Sequence, residues 1–173
     1  MKKEILKNTT VKVDKSFDPF SYQNLFYEYE LEINNDEVNQ VLLLTKNINS
    51  IEQKNTFNYL NVLNFPVLKN LRKQVIDILD KHKLILSNNW SQFYNKNERH
   101  MVHVHNLSVY SGIIYLNGNN ASPTVFYDRF FEPYFHEFKK NKLLMFPSMI
   151  PHEVKPLKNN EERLVISFNT KKA

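Results

Sequence analysis

From residue 84 to residue 117 the chain reads LILSNNWSQFYNKNERHMVHVHNLSVYSGIIYLN, and PTVFYDRF (123–130), KLLMFPSM (142–149) and RLVISFNT (163–170) follow it. The first stretch divides by its apolar/polar alternation into LILSNNWSQFYN, HMVHVHNL and VYSGIIYLN. With the later three these make six strand-like segments, separated at Asn, Gly or Pro, the pattern of an antiparallel barrel or sandwich.

Outward from this region, the N-terminal side changes period. Residues 22–33 alternate aromatic and polar side chains, with Leu25, Tyr27, Tyr29 and Leu31 on one face, so a strand is expected at about 24–33. Asn35 or Asp36 is positioned to cap a helix of about four turns carrying Val38, Val41, Leu42, Thr45 and Ile48 at helical spacing. Phe65-Pro66 opens a second helix, with Val67, Leu68, Leu71, Val75, Ile78, Leu79 and His82 along one side. Helices followed by a run of strands form an α+β pattern in which the helices cover one outer face of the barrel. The 173 residues suit one domain, 1–173, with residues 1–83 as N-terminal strand and supporting helices and 84–170 as the core that would carry the chemistry.

Composition narrows the chemistry. The chain has no cysteine, which removes disulfides, thiolate metal sites and a thiol nucleophile. Its two glycines, Gly112 and Gly118, are too few for a phosphate-cradling loop. The net charge of +5 comes from dispersed lysines rather than a basic stripe, so a nucleic-acid partner is not expected. The opening MKKEILKNTT lacks the apolar run of a signal peptide and no later segment approaches a membrane span, so a cytoplasmic setting is the expectation. The four arginines, Arg72, Arg99, Arg129 and Arg163, stand out in a lysine-dominated chain.

The residues able to carry chemistry are histidines. His103 and His105 stand at i and i+2, so on a strand both imidazoles leave one face while Val102 and Val104 face the other. A half-buried strand also tolerates such a pair without metal, and a third ligand is needed. His152 is the candidate, in a turn held by Pro151 and Pro156 after the apolar KLLMF strand, where a fixed ligand loses little entropy on binding an ion. An ordinary turn histidine is the bland alternative. Eleven residues on, Arg163 enters the otherwise apolar RLVISFN strand, where a buried cation calls for an anion. His82 reads as a helix-face residue and His100 as a surface or barrel-rim residue.

Taken together, His-x-His on a strand, Ser-Gly-x-x-Tyr and Tyr-Leu-Asn downstream, Phe-Pro-Ser with Pro-His-Glu-Val-x-Pro, and Arg-x-x-Ile-Ser-Phe-Asn resemble the iron(II)/2-oxoglutarate oxygenases with a double-stranded β-helix core. The likeness is to their prolyl-hydroxylase-like branch and to small oxygenases of phages and bacteria, and it covers about residues 84–170. It implies a jelly-roll, cupin-like barrel with the N-terminal helices packed on one face. It further implies iron(II) as the metal, 2-oxoglutarate and O2 as cosubstrates, and location in the cytoplasm, that of a host if phage-encoded.

Carried over residue by residue, the resemblance makes His103 and His152 metal ligands, with His105 where most of the family has aspartate. Arg163 would pair with the distal carboxylate of 2-oxoglutarate, and Tyr115 and Tyr94 match tyrosines that hydrogen-bond the cosubstrate. The departure at His105 leaves two arrangements open: a three-histidine site, or a second-shell His105 with water in the third position, as in halogenase-like sites. Tyr127, Arg129 and His136 are candidates for the substrate mouth. The expected activity is hydroxylation of a protein side chain or a small molecule. The alternative is a metal-binding barrel that acts without 2-oxoglutarate or serves as a binding module.

Overall fold

The structure is a computed structural model that describes residues 25–49, 61–119, 123–157 and 162–173. The start of the 22–33 alternation and the opening MKKEILKNTT fall outside these residues, as does the side chain of Ile48.

In chain order the elements are strand β1 (Tyr27–Glu30), helix α1 (Asn35–Asn49), two 3-10 turns (Val62–Asn64 and Pro66–Leu68), helix α2 (Lys69–Lys81), and strands β2 (Leu84–Tyr94), β3 (His100–His103), β4 (Tyr110–Asn117), β5 (Thr124–Tyr127), β6 (Pro133–His136), β7 (Lys142–Pro147), β8 (His152–Val154) and β9 (Arg163–Lys172). A five-stranded sheet has the order β1-β7-β4-β9-β2 and a four-stranded sheet the order β3-β8-β5-β6. Every strand pair is antiparallel. The two sheets face each other as the double-stranded β-helix that the sequence motifs imply, with the helices against the outer face of the larger sheet.

The larger sheet is buried on both faces, and strand alternation sorts its side chains between two cores. On β9, Leu164, Ile166 and Phe168 join Val41 of α1 and Leu71, Val75, Ile78 and Leu79 of α2. Val165, between them, joins Tyr115, Phe126, Phe146 and Ile150 in the core between the sheets. Gly112 is opposite Phe168 in the β4–β9 register, and a Cβ there would lie 2.1 Å from the Phe168 ring, so only hydrogen fits.

Local signals account for the helix ends with one correction. Asn34, not Asn35 or Asp36, caps α1: its Oδ1 accepts from the Glu37 backbone N–H at 2.8 Å while Glu37 Oε2 accepts from the Asn34 N–H at 3.0 Å. This reciprocal pair satisfies two N–H groups at once, which a cap one residue later does not offer. Pro66 opens a 3-10 turn, and α2 proper begins at Lys69. His82 ends α2 and hydrogen-bonds Tyr29 of β1, which fixes the helix against the sheet edge.

Candidate metal and anion site

β3 and β8 are neighbours in the smaller sheet, and their pairing sets His103 directly opposite His152. His152 therefore opens a short strand rather than sitting in the proline turn, and its two-residue lead from Ile150 and Pro151 delivers it to the barrel interior. It is 5% exposed. His105 lies two residues past the end of β3, so the strand-face argument does not place it. Its backbone N–H instead donates to the Ser148 carbonyl at 2.8 Å, which folds the segment back over the site.

The three imidazoles converge. Ring centroids are 4.3 Å apart for His103 and His152, 5.0 Å for His103 and His105, and 5.2 Å for His105 and His152. One ligand atom from each lies within 4.8 Å of the others, a grouping found nowhere else among the described residues. His103 Nδ1 meets the Met101 carbonyl at 2.8 Å and His152 Nδ1 meets the Ile150 carbonyl at 2.9 Å. A carbonyl only accepts, so in each ring Nδ1 carries the proton and Nε2 keeps its lone pair for an ion. Nitrogens sharing an ion at about 2.1 Å stand about 3.0–3.4 Å apart, so from separations of up to 4.8 Å the rings would draw together on binding one. The donor set therefore fits a borderline divalent metal such as iron(II) or zinc.

Electrostatics keep these rings in the metal-binding form. Burial, and then the neighbouring His103, push His105 down to about 4. Burial pushes His103 down as well, partly offset by its bond to Met101. Burial first, and then proximity to His103, hold His152 well below the ordinary imidazole range. Neutral imidazoles at neutral pH need lose no proton to bind an ion.

His100, expected at the surface or barrel rim, is half-buried on the wall of the cavity that the three histidines line. A register irregularity between His100 and His103 turns both rings inward, and they stack with centroids 4.0 Å apart and planes at 11°. Bulges of this kind re-aim side chains, and no periodicity in HMVHVHNL signals one. His100 Nδ1 lies 3.0 Å from Gln92 Nε2 and 3.3 Å from the Tyr94 hydroxyl. With the Gln92 amide donating, His100 carries its proton on Nε2, the opposite tautomer from His103 and His152.

Arg163 opens β9 opposite Tyr94 and lines the same cavity as the three histidines, together with Trp90, Gln92 and Thr124. It is 1% exposed. Its guanidinium carbon lies 5.7 Å from the Tyr94 ring centroid and 5.6 Å from that of Tyr115, and Nη2 donates to Thr124 Oγ1 at 2.9 Å. Tyr115 is fully buried on β4, and its hydroxyl lies 2.9 Å from the same Thr124 oxygen. Thr124 thus joins both candidates, although nothing in PTVFYDRF marks it out from the sequence.

The three residues expected at a substrate mouth do not form one group. Tyr127 is half-buried at the end of β5, where its hydroxyl donates to Glu153 and accepts from Lys155. Arg129 is exposed over the Phe130 ring at 4.6 Å. His136 is no mouth residue at all: it is 2% exposed, with Nε2 2.7 Å from Glu28 Oε1. The end of β6 turns it between the sheets, where it stacks on Tyr115 with centroids 5.9 Å apart.

A serine and asparagine cluster supports the site. Ser111 Oγ lies 2.9 Å from Ser148 Oγ and donates to Asn169 Oδ1 at 2.7 Å. It ties β4 and β9 to the turn whose carbonyl holds His105, which gives a physical reason for the serines of Ser-Gly and Phe-Pro-Ser and the asparagine of Ser-Phe-Asn.

No protein-family model matches the sequence, and no curated protein matches it. Solved structures do. The chain is similar to the non-haem α-ketoglutarate-dependent epimerase SnoN of nogalamycin biosynthesis, at a TM-score of 0.67 and 11% identity over 88% of this chain and 80% of that one. HygX from Streptomyces hygroscopicus, solved with nickel and 2-oxoglutarate, gives 0.66 and 11% over 88% and 85%. The viral collagen prolyl hydroxylase of Paramecium bursaria Chlorella virus 1, in complex with 2-oxoglutarate, gives 0.62 and 10% over 86% and 97%. At these identities the likeness is one of fold, and it agrees with the family resemblance of the motifs.

Proposed function

We propose that this chain is an iron(II)- and 2-oxoglutarate-dependent oxygenase. The observation that carries this reading is one cavity that holds three converging neutral imidazoles and, on its wall, a buried guanidinium. His103, His105 and His152 would hold the metal, and Arg163 would receive the distal carboxylate of the keto acid, a planar pairing that suits guanidinium better than ammonium. Bound iron and keto acid would together supply the oxidising power for hydroxylation of a C–H bond.

The chain's own part is binding, orientation and exclusion of water. Met101 and Ile150 carbonyls lock two ligand rings, Thr124 and the faces of Tyr94 and Tyr115 hold Arg163, and Trp90, Phe146 and Val165 line the cavity with apolar surface. Three neutral ligands in place of two and a carboxylate raise the site's charge by one, which favours an anionic keto acid. The substrate is a protein side chain or a small molecule. Exposed Met101, Val102, Leu107 and Met149, which flank the three histidines in sequence, suit one with an apolar surface.

Anaerobic titration of the iron(II) protein with 2-oxoglutarate tests the reading. A metal-to-keto-acid charge-transfer band is expected in the wild type, lost in Arg163→Ala and partly restored in Arg163→Lys. Absence of the band in iron-loaded wild type would point instead to a metal-binding barrel that acts without the keto acid. His105→Ala should lower iron affinity as far as His103→Ala does, and His105→Asp should retain iron. A second-shell His105 would cost only about 10–100-fold on alanine substitution, with aspartate no better than alanine.

A further inference from the structure

Arg163 is joined to a carboxylate on the far edge of the larger sheet. From Arg163 Nη2 the contacts run to Thr124 Oγ1 at 2.9 Å, from there to the Tyr115 hydroxyl at 2.9 Å, on to His136 Nδ1 at 3.3 Å, and from His136 Nε2 to Glu28 Oε1 at 2.7 Å. All five side chains are buried, and they come from β9, β5, β4, β6 and β1. Glu28 stays ionised because the hydrogen bond from His136 lowers its pKa against the opposing effect of burial. Lys139 adds a second cation 3.6 Å from its other oxygen.

Matching donors to acceptors gives these contacts one direction. An ionised carboxylate only accepts, so His136 Nε2 carries a hydrogen, and Nδ1, 3.3 Å from the Tyr115 hydroxyl, is placed to accept from it. Tyr115 has one hydroxyl proton and gives it to Nδ1, so its oxygen accepts from Thr124. Thr124 has spent its own proton on Tyr115 and accepts from Arg163, which has only donors. The chain is therefore directional, Arg163 to Thr124 to Tyr115 to His136 to Glu28, with each donor matched.

We propose that Glu28 and His136 are positioning residues for the anion pocket: through Tyr115 and Thr124 they hold the Arg163 guanidinium and fix the hydroxyl protons beside it. The inference rests on the keto-acid reading for its ligand, but not for the chain itself. A pocket preorganised in this way spends less binding energy on ordering its donors when the carboxylate arrives. The role of Glu28 is to be an acceptor and nothing else, since an amide in its place offers both a donor and an acceptor and leaves the histidine's tautomer undetermined.

The test combines two measurements on the full chain. Nitrogen-15 NMR of the metal-free protein should show His136 as a single neutral tautomer protonated on Nε2, and Glu28→Gln should convert it to a mixture with the Nδ1-protonated form. In charge-transfer titrations, His136→Gln, which keeps a donor for Glu28 but has no acceptor at the ring position that Nδ1 holds beside Tyr115, should weaken 2-oxoglutarate about tenfold. Glu28→Gln should weaken it severalfold, and both variants should bind iron as the wild type does. A wild-type His136 protonated on Nδ1, or unchanged keto-acid affinity in folded His136→Gln, would overturn the proposal. If His136→Gln does not fold, the wild-type tautomer and the Glu28→Gln titration decide. A wild type that shows no charge-transfer band defeats the keto-acid reading, while the tautomer, measured without ligand, still decides the chain.

Discussion

The two faces of the larger sheet do different work with the same strands. Towards the helices, β9 presents Leu164, Ile166 and Phe168 to an aliphatic core. Towards the smaller sheet, it presents Arg163, Val165, Ser167 and Asn169, all buried and mostly polar. One face buries surface that needs no partner and so supplies stability. The other buries groups that cost free energy unless each is satisfied, and so needs the first face's surplus. Chemistry and stability are thereby separated by a single residue step along a strand.

That separation is open to test by adjacent substitutions. The largest effect is expected for Ile166→Ala on the helix side, which removes a side chain with no exposed surface and should cost about 2–5 kcal/mol in urea unfolding. Its iron affinity, measured on folded protein, should stay within about twofold of wild type; a large loss of iron binding would break the division between the faces.

An intermediate effect concerns acid. Burial, and next the neighbouring His103, push His100 down to about 4, and His105 is held near the same value. Between roughly pH 6.5 and 4 the unfolded chain thus takes up protons that the folded metal-free protein refuses, so unfolding binds protons and stability falls as pH falls through that window. Glu28, with its pKa lowered, adds a loss at the acid end, as pH falls below the ordinary carboxylate value towards its folded one. Urea midpoints of metal-free protein should decline from pH 7 to 4.5, and a flat profile would show that the histidines are not held neutral by the fold.

The smallest effect is expected for Ser167→Ala, one residue from Ile166 but on the other face. Ser167 donates to Gln92 Oε1 at 3.1 Å, and Gln92 in turn meets His100. Loss of this bond should cost about 1 kcal/mol in urea unfolding, well below the cost of Ile166→Ala. A Ser167→Ala protein as unstable as Ile166→Ala would erase the contrast.

The course of the strands was legible where alternation was long enough to read. The six segments from 84 to 170 correspond to β2, β3, β4, β5, β7 and β9, and the tyrosine face of β1 does meet the helices. Strands β6 and β8 were not legible, because PYFH and HEV are short and adjoin Pro133, Pro151 and Pro156, which read as turn. His152 was accordingly expected in a turn, although it opens β8. The alternate residues of β1 read as a polar face, yet Glu28 is buried there, because the strand is covered on both sides at that point. The pattern could identify His103, His105, His152 and Arg163 as candidates, but the bulge that brings in His100 and the cross-sheet partner of His136 depend on residues far away in the chain.

The pairing of β1 with β7 has a consequence for the order of folding. Glu28 and His136 are 108 residues apart, and Arg163 lies later still. A contact of such range forms only after a large loop has closed, which makes it a late event and a slow one. On the ribosome, His103 and His105 emerge before the strand that carries His152, so any ion they attract is held by an incomplete set until β8 pairs with β3. Assembly of the site would then coincide with closure of the barrel, and metal would be retained mainly by chains that have finished folding.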